Sequence, residues 1–134
     1  MPEKAAHILI VDDLALSSMS IGKLLRSFGY RFIDSASDGL EALHKIKSGS
    51  YDLVFLDCYM PGMSGFEVTR TLRDDRNIGM EEKPVIVALT GNTMNTDRQK
   101  CLDAGMNDFL SKPYKQEDLA RILEKWLPLP HTAS

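Results

Sequence analysis

The sequence predicts an α/β fold in which helices cover both faces of a parallel β-sheet. Short apolar runs alternate with amphipathic stretches, the amphipathic stretches carry helix start and stop signals, and no repeat or low-complexity segment breaks the alternation. Alternating strands and helices bury their apolar faces most simply as a parallel sheet in a three-layer sandwich. Right-handed crossovers then leave few topologies.

The elements follow in order. His7–Val11, Leu53–Leu56 and Val85–Leu89 are runs of the length and β-branched content expected of strands buried on both faces. Phe32-Ile33 and Phe109-Leu110 are two weaker runs. Ile21, Leu24, Leu25 and Phe28 fall on one helical face, as do Leu119, Ile122, Leu123 and Trp126. Asp38-Gly39-Leu40-Glu41 and Ser64-Gly65-Phe66-Glu67 each pair an N-cap residue with an acid at N3, which satisfies orphan amides at a helix start. Gly29, Gly49 and Gly105 stand where helices should end in a left-handed residue, and Pro128 stops the last helix. The sum is five βα units in one domain spanning 1–134, with a core of about 7–127. Arg73–Lys83 is expected to be a polar loop, and 128–134 a frayed tail or the start of a linker.

Composition narrows the function. A net charge of −3 leaves no basic footprint, so neither nucleic acid nor an anionic membrane surface is an expected partner. No apolar run approaches the roughly 20 residues of a membrane span, and the N-terminus has no signal-peptide core, so a cytoplasmic location is expected. Cys58 and Cys101 lie far apart without zinc-like spacing and read as reduced thiols. Trp126 and the seven methionines read as packing residues.

A polar site in a doubly wound sheet should lie beyond the carboxyl ends of the strands. Asp12 and Asp13 follow the first run, Asp57 the third, Thr90 the fourth and Lys112 the fifth, so all five converge on one sheet edge. Three carboxylates gathered there would raise one another's pKa values unless a cation intervened. Magnesium suits the set, because it takes one or two carboxylates, keeps several waters and bridges to phosphate oxygens; manganese is the alternative ion. Lys112 adds a point charge and Thr90 a hydroxyl donor. Each residue alone has a duller explanation as a cap, a turn or a solvated side chain; their joint placement outweighs it.

The segments ILIVDD, DLVFLDCYMPGMSGFEV, VIVALTGN and AGMNDFLSKPY resemble, in order and spacing, the motifs of response-regulator receiver domains, from His7 to Leu127. The wording is most similar to receivers of hybrid sensor histidine kinases. The resemblance implies a flavodoxin-like α/β/α sandwich with strand order 2-1-3-4-5. It makes Asp57 the phosphoacceptor, with magnesium held by Asp12, Asp13, Asp57 and the backbone carbonyl of Tyr59. Asp13 would ligate directly and Asp12 through water. Thr90 matches the switch hydroxyl, Phe109 the switch aromatic, and Lys112 the lysine that pairs with the phosphoryl group. Tyr59, Gly91, Ser64 and the Ser17-Ser18 pair depart from the residues usual at those positions, which bears on dephosphorylation rate and partner choice. The chain would be a phosphorylation switch, catalysing only its own phosphorylation and dephosphorylation. If part of a hybrid kinase, it would lie on the cytoplasmic side of the membrane.

Other functions on related chemistry fit less well. A haloacid-dehalogenase-like phosphohydrolase would need a D-x-D nucleophile motif after the first strand, where Asp12-Asp13-Leu14 stands. A flavodoxin-type carrier would need a Ser/Thr/Gly-rich phosphate loop there, and the two aspartates would repel the phosphate. A degenerate docking receiver would not keep the acidic site. His7, His44 and His131 have no supporting context, so the phosphodonor histidine is expected on a partner, a histidine kinase or a histidine phosphotransfer protein. That partner is expected to dock on the first helix, whose outward side should carry Leu14, Ala15, Leu16, Ser18 and Gly22.

Overall fold

The computed structural model describes residues 4–49, 51–75, 84–91, 94–112 and 114–127. Strands β1 (Lys4–Val11), β2 (Tyr30–Ala36), β3 (Leu53–Asp57), β4 (Val85–Thr90) and β5 (Asp108–Ser111) alternate with helices α1 (Ala15–Ser27), α2 (Gly39–Ser48), α3 (Gly65–Asp74), α4 (Met94–Ala104) and α5 (Gln116–Trp126). All strand pairs are parallel, in the order β2-β1-β3-β4-β5, so the expected flavodoxin-like sandwich is the observed one.

The twofold periodicity of the strands builds two cores. Leu9, Val11, Val54, Leu56, Ile86 and Ala88 point to one face and pack with apolar residues of α2, α3 and α4. Ile8, Ile10, Leu53, Phe55, Val87, Leu89 and Leu110 point to the other and pack with Ile21 and Leu25 of α1 and Leu119, Ile122 and Leu123 of α5. Both faces are covered, which is why β3 is buried along its whole length and reads as an apolar run up to Asp57. Each fully buried Leu, Ile or Phe contributes about 1.5–3 kcal/mol of transfer free energy.

The caps form largely as the sequence predicts. The Asp38 side chain accepts from the Glu41 N–H at 2.8 Å, and Ser64 with Glu67 closes a reciprocal capping box. Gly29 and Gly105 adopt the left-handed conformation, with φ of 99° and 102°. Gly49 does not: it ends α2 with φ −125°, and its N–H reaches Lys45 O without a left-handed turn. The expected loop from Arg73 begins later, because α3 runs on through Asp74. Arg73 is held there by hydrogen bonds to Gly105 O, Pro84 O and Asn107 Oδ1, contacts between segments far apart in sequence. Residues 76–83 and 128–134, and with them Pro128 and the expected tail, lie outside the described residues. Among the described residues no helix is long and apolar enough to cross a membrane.

Candidate functional site

Strand register brings the expected residues to one edge. Val11 pairs with Leu56, so Asp12 and Asp57 each stand one residue beyond that pair on adjacent strands. Asp57 pairs with Leu89, and Thr90 with Ser111, directly before Lys112. Side-chain direction follows from the same alternation. Ile8 and Ile10 face the α1/α5 core, and so does Asp12 by parity; Leu53 and Phe55 precede Asp57 in the same way, and Leu110 precedes Lys112. Thr90 follows Ile86 and Ala88 in facing the α4 side, where Phe109 also packs. Asp12, Asp57 and the lysine therefore gather on one side of the edge, and the hydroxyl and the aromatic on the other.

Asp12, Asp57 and Thr90 are buried, whereas Asp13 is exposed at the mouth. One carboxylate oxygen from each of Asp12, Asp13 and Asp57 lies within 4.8 Å of the others. Ligands of an octahedral magnesium ion lie about 3–4 Å apart, so the three acids are close enough to share one ion, directly or through its bound water. Lys112 Nζ lies 3.6 Å from Asp12 Oδ2 and 3.9 Å from Asp57 Oδ2. Those distances give ion pairing without direct hydrogen bonds. Asp12 Oδ1 accepts from Leu14 N–H at 2.9 Å and fixes the entry to α1, while the buried Oδ2 accepts no hydrogen bond. A buried carboxylate oxygen left in that state is one a cation or its bound water would satisfy.

Asp57 Oδ1 accepts from the Tyr59 N–H at 3.1 Å. Burial pushes the Asp57 carboxyl up to about 6; the Tyr59 amide and Lys112 pull it back down, and Asp12 and Asp13 push it further up. Gly65 lets the N-terminus of α3 close on this loop. Its N–H donates to Cys58 O, and a β-carbon there would sit 2.3 Å from the Asp57 carbonyl oxygen. Tyr59 is exposed, with its ring edge-on to Phe66.

Other features escaped the sequence reading. The Cys58 and Cys101 sulfurs, 43 residues apart, meet at 3.8 Å inside the core and join the end of β3 to α4. Arg98 of α4 sets its guanidinium 5.2 Å from the centre of the Phe109 ring, a cation–π contact on the half-buried aromatic. On α1, Leu14, Leu16 and Met19 are 58%, 78% and 57% exposed, so the two expected leucines do face outward and Met19 joins them. Gly22 does not: it is buried on the inner face above Ile10, because it lies one position after Ile21 on the core side of the helix. His44 is exposed on α2.

An acidic, lysine-bearing cleft at the carboxyl edge of a 2-1-3-4-5 sheet defines a class of phosphate-handling α/β domains. Within it the chain belongs to the response regulator receiver domain family, whose model matches residues 8–124. The chain is 44% identical over 134 residues to hybrid signal transduction histidine kinase B of Dictyostelium discoideum, covering 93% of this chain and 7% of that protein. It is thus similar to a small part of a much longer relative. Among solved structures it resembles the receiver domain of the sensor histidine kinase PA1611 of Pseudomonas aeruginosa, which has a magnesium ion coordinated in its active-site cleft. The identity is 39%, covering 90% of this chain and 96% of that one, with a TM-score of 0.78. It also resembles a co-crystal structure of the Saccharomyces cerevisiae histidine phosphotransfer protein Ypd1 and the receiver domain of its downstream regulator Ssk1. There the identity is 30%, the coverage 94% and 91%, and the TM-score 0.82. The chain is a receiver domain of the two-component and phosphorelay type, a phosphorylation-switch domain.

Proposed function

We propose that Asp57 accepts a phosphoryl group from a phosphohistidine on a partner protein in a magnesium-dependent reaction. The observation that carries this reading is the convergence of three carboxylates and one lysine at a single sheet edge. Asp12, Asp13, Asp57 and the Tyr59 carbonyl would hold the ion, with Asp13 in direct contact and Asp12 acting through water. Magnesium, or manganese in its place, would neutralise charge on the transferring phosphoryl oxygens.

The chain's own groups do the rest. An Asp57 oxygen attacks phosphorus in line, the P–N bond to the donor imidazole breaks, and its electron pair stays on the ring nitrogen. The product is an acyl phosphate. Lys112 moves from pairing with the carboxylates to pairing with the phosphoryl oxygens. The domain catalyses this step and the later hydrolysis on itself. The Thr90 hydroxyl then turns toward the new dianion and Phe109 packs inward behind it. These contacts exist in one packing only, so they shift the population between two arrangements of the α4 face. The donor is a histidine kinase or a phosphotransfer protein of the kind solved with the Ssk1 receiver. In the cell the domain is placed in the cytoplasm, or on the cytoplasmic side of the membrane within a hybrid kinase, and it contacts neither nucleic acid nor lipid.

Mass spectrometry tests the reading. Acetyl phosphate with magnesium should add one phosphoryl group, and a chelator should prevent it. A magnesium titration by NMR should also show Asp13→Ala binding more weakly than Asp12→Ala, because one loses a bond to the ion and the other an orienting contact. Equal affinities for the two variants would reverse that assignment.

Thr90→Ala should take up phosphate at a near wild-type extent yet no longer transmit it. Chemical shifts of Phe109 and Arg98, which stack on one another, should then stay at their unphosphorylated values. A wild-type response in the variant would remove Thr90 from the switch.

A further inference from the structure

Tyr114 carries a hydroxyl that neither the core nor the chemistry above uses. It lies two residues after Lys112, and its ring packs against the α1/α5 core. The ring is well placed there, but the hydroxyl is buried and has no hydrogen-bond partner. A hydroxyl dehydrated in this way costs free energy, and phenylalanine would fill the same space without that cost.

A complementary group lies on the same side of the sheet. Asp12 continues the Ile8–Ile10 row that faces the α1/α5 core, and its Oδ2 is the other buried side-chain atom without a hydrogen bond among the described residues. One group is a donor and the other an acceptor. Lys112 connects them: its Nζ is 3.6 Å from Asp12 Oδ2, and Tyr114 follows it by two residues. The Asp12 and Asp57 charges also hold the Tyr114 proton on more tightly than burial alone does, so the hydroxyl senses both carboxylates.

We propose that Tyr114 is a positioning residue of the acidic site, its hydroxyl donating to Asp12 Oδ2 through one water of the magnesium shell. The hydroxyl fixes the carboxylate so that Asp12 meets the ion's hydration shell in one orientation. This rests on magnesium binding by the acidic triad, as proposed above.

Tyr114→Phe removes the hydroxyl and keeps the ring. Magnesium chloride titrations followed by the NMR amide signals of Asp13 and Cys58 should show affinity weakened about tenfold, the low end for losing a partner that orients a ligand. The melting temperature in chelator should stay level or rise, because a buried hydroxyl without a partner has been removed. In an Asp12→Asn background the same change should have no further effect on magnesium affinity. Wild-type affinity in Tyr114→Phe overturns the proposal, and so does an equal loss in the Asp12→Asn background. A metal-free melting temperature that falls along with affinity makes the hydroxyl a packing element, which also overturns it. A wild-type chain that binds no magnesium would instead sink the metal reading itself.

Discussion

Asp57→Asn should take up no phosphoryl group from acetyl phosphate and magnesium under conditions that label the wild-type chain. The amide has no anionic oxygen to attack phosphorus, and no other described carboxylate stands both buried and beside Lys112 at the centre of the edge except Asp12. In the reading proposed above Asp12 serves the ion through its bound water, so it is not expected to take the acceptor role. A second, opposite effect should accompany the loss. Burial and the neighbouring acids raise the Asp57 carboxyl to about 6 in the folded, metal-free chain. An unfolded aspartate titrates near 3.9. The folded state therefore holds the proton more tightly, and the stability linked to it is complete below about pH 4 and lost as pH rises through about 6. Asparagine stays neutral and can still accept from the Tyr59 N–H. In chelator at pH 7 the variant should be more stable than wild type by ~1–3 kcal/mol, with the gap closing as pH falls toward 4. Thermal melts across that range check it. Labelling of the variant at the wild-type level would move the acceptor elsewhere; a variant no more stable than wild type at pH 7 would mean the cleft does not strain its charges.

The five βα units, the burial of strands on both faces and the edge that gathers the acids were legible because they follow from local rules; the strand order was legible only through the resemblance to receiver domains. Parity within Ile8–Asp12 and Leu53–Asp57 sets which face each side chain meets, and Asp38 and Ser64 declare their helices in four residues each. What stayed hidden depends on contacts between distant segments. The Cys58–Cys101 contact needs the packing of α4 against the end of β3, and the cation–π pair of Arg98 and Phe109 needs the packing of α4 against β5. The end of α3 was placed too early because Arg73 looks like a loop residue until Gly105, Pro84 and Asn107 supply its partners. Assigning Ile21, Leu24, Leu25 and Phe28 to the inner face leaves Gly22 outward by elimination; the helix phase turns it onto Ile10 instead. The hydroxyl of Tyr114 could not be separated from its ring in a sequence, where a KPY segment reads simply as an aromatic anchor.

Leu14→Asp combined with Leu16→Asp should slow phosphoryl transfer from a phosphorylated protein donor by at least about tenfold, equivalent to ~1.4 kcal/mol on the barrier. The donor imidazole must approach Asp57 nearly in line, so its protein has to cover the open edge where Asp13 is exposed and α1 begins. At that place the chain displays Leu14, Leu16 and Met19, three large apolar side chains more than half exposed on one short stretch. Single exposed leucines are common on any surface; the docking face proposed on α1 rests on two leucines and a methionine exposed together beside the acidic cleft. Ile21 and Leu25 hold the opposite face of α1 in the core, so the substitutions should leave the helix packed. Leu14 needs a check, because its N–H is the donor to Asp12 Oδ1; the backbone contact does not depend on the side chain, but a disturbed entry to α1 would reach the acid through it. Acetyl phosphate separates the two cases. It is too small to use a docking face, so its labelling rate should stay near wild type if the leucines serve the partner, and should fall in step with the protein donor if they hold Asp12 in place. Equal slowing with both donors would end the docking assignment. Slowing confined to the protein donor, deepened by Met19→Asp, would extend the interface along α1.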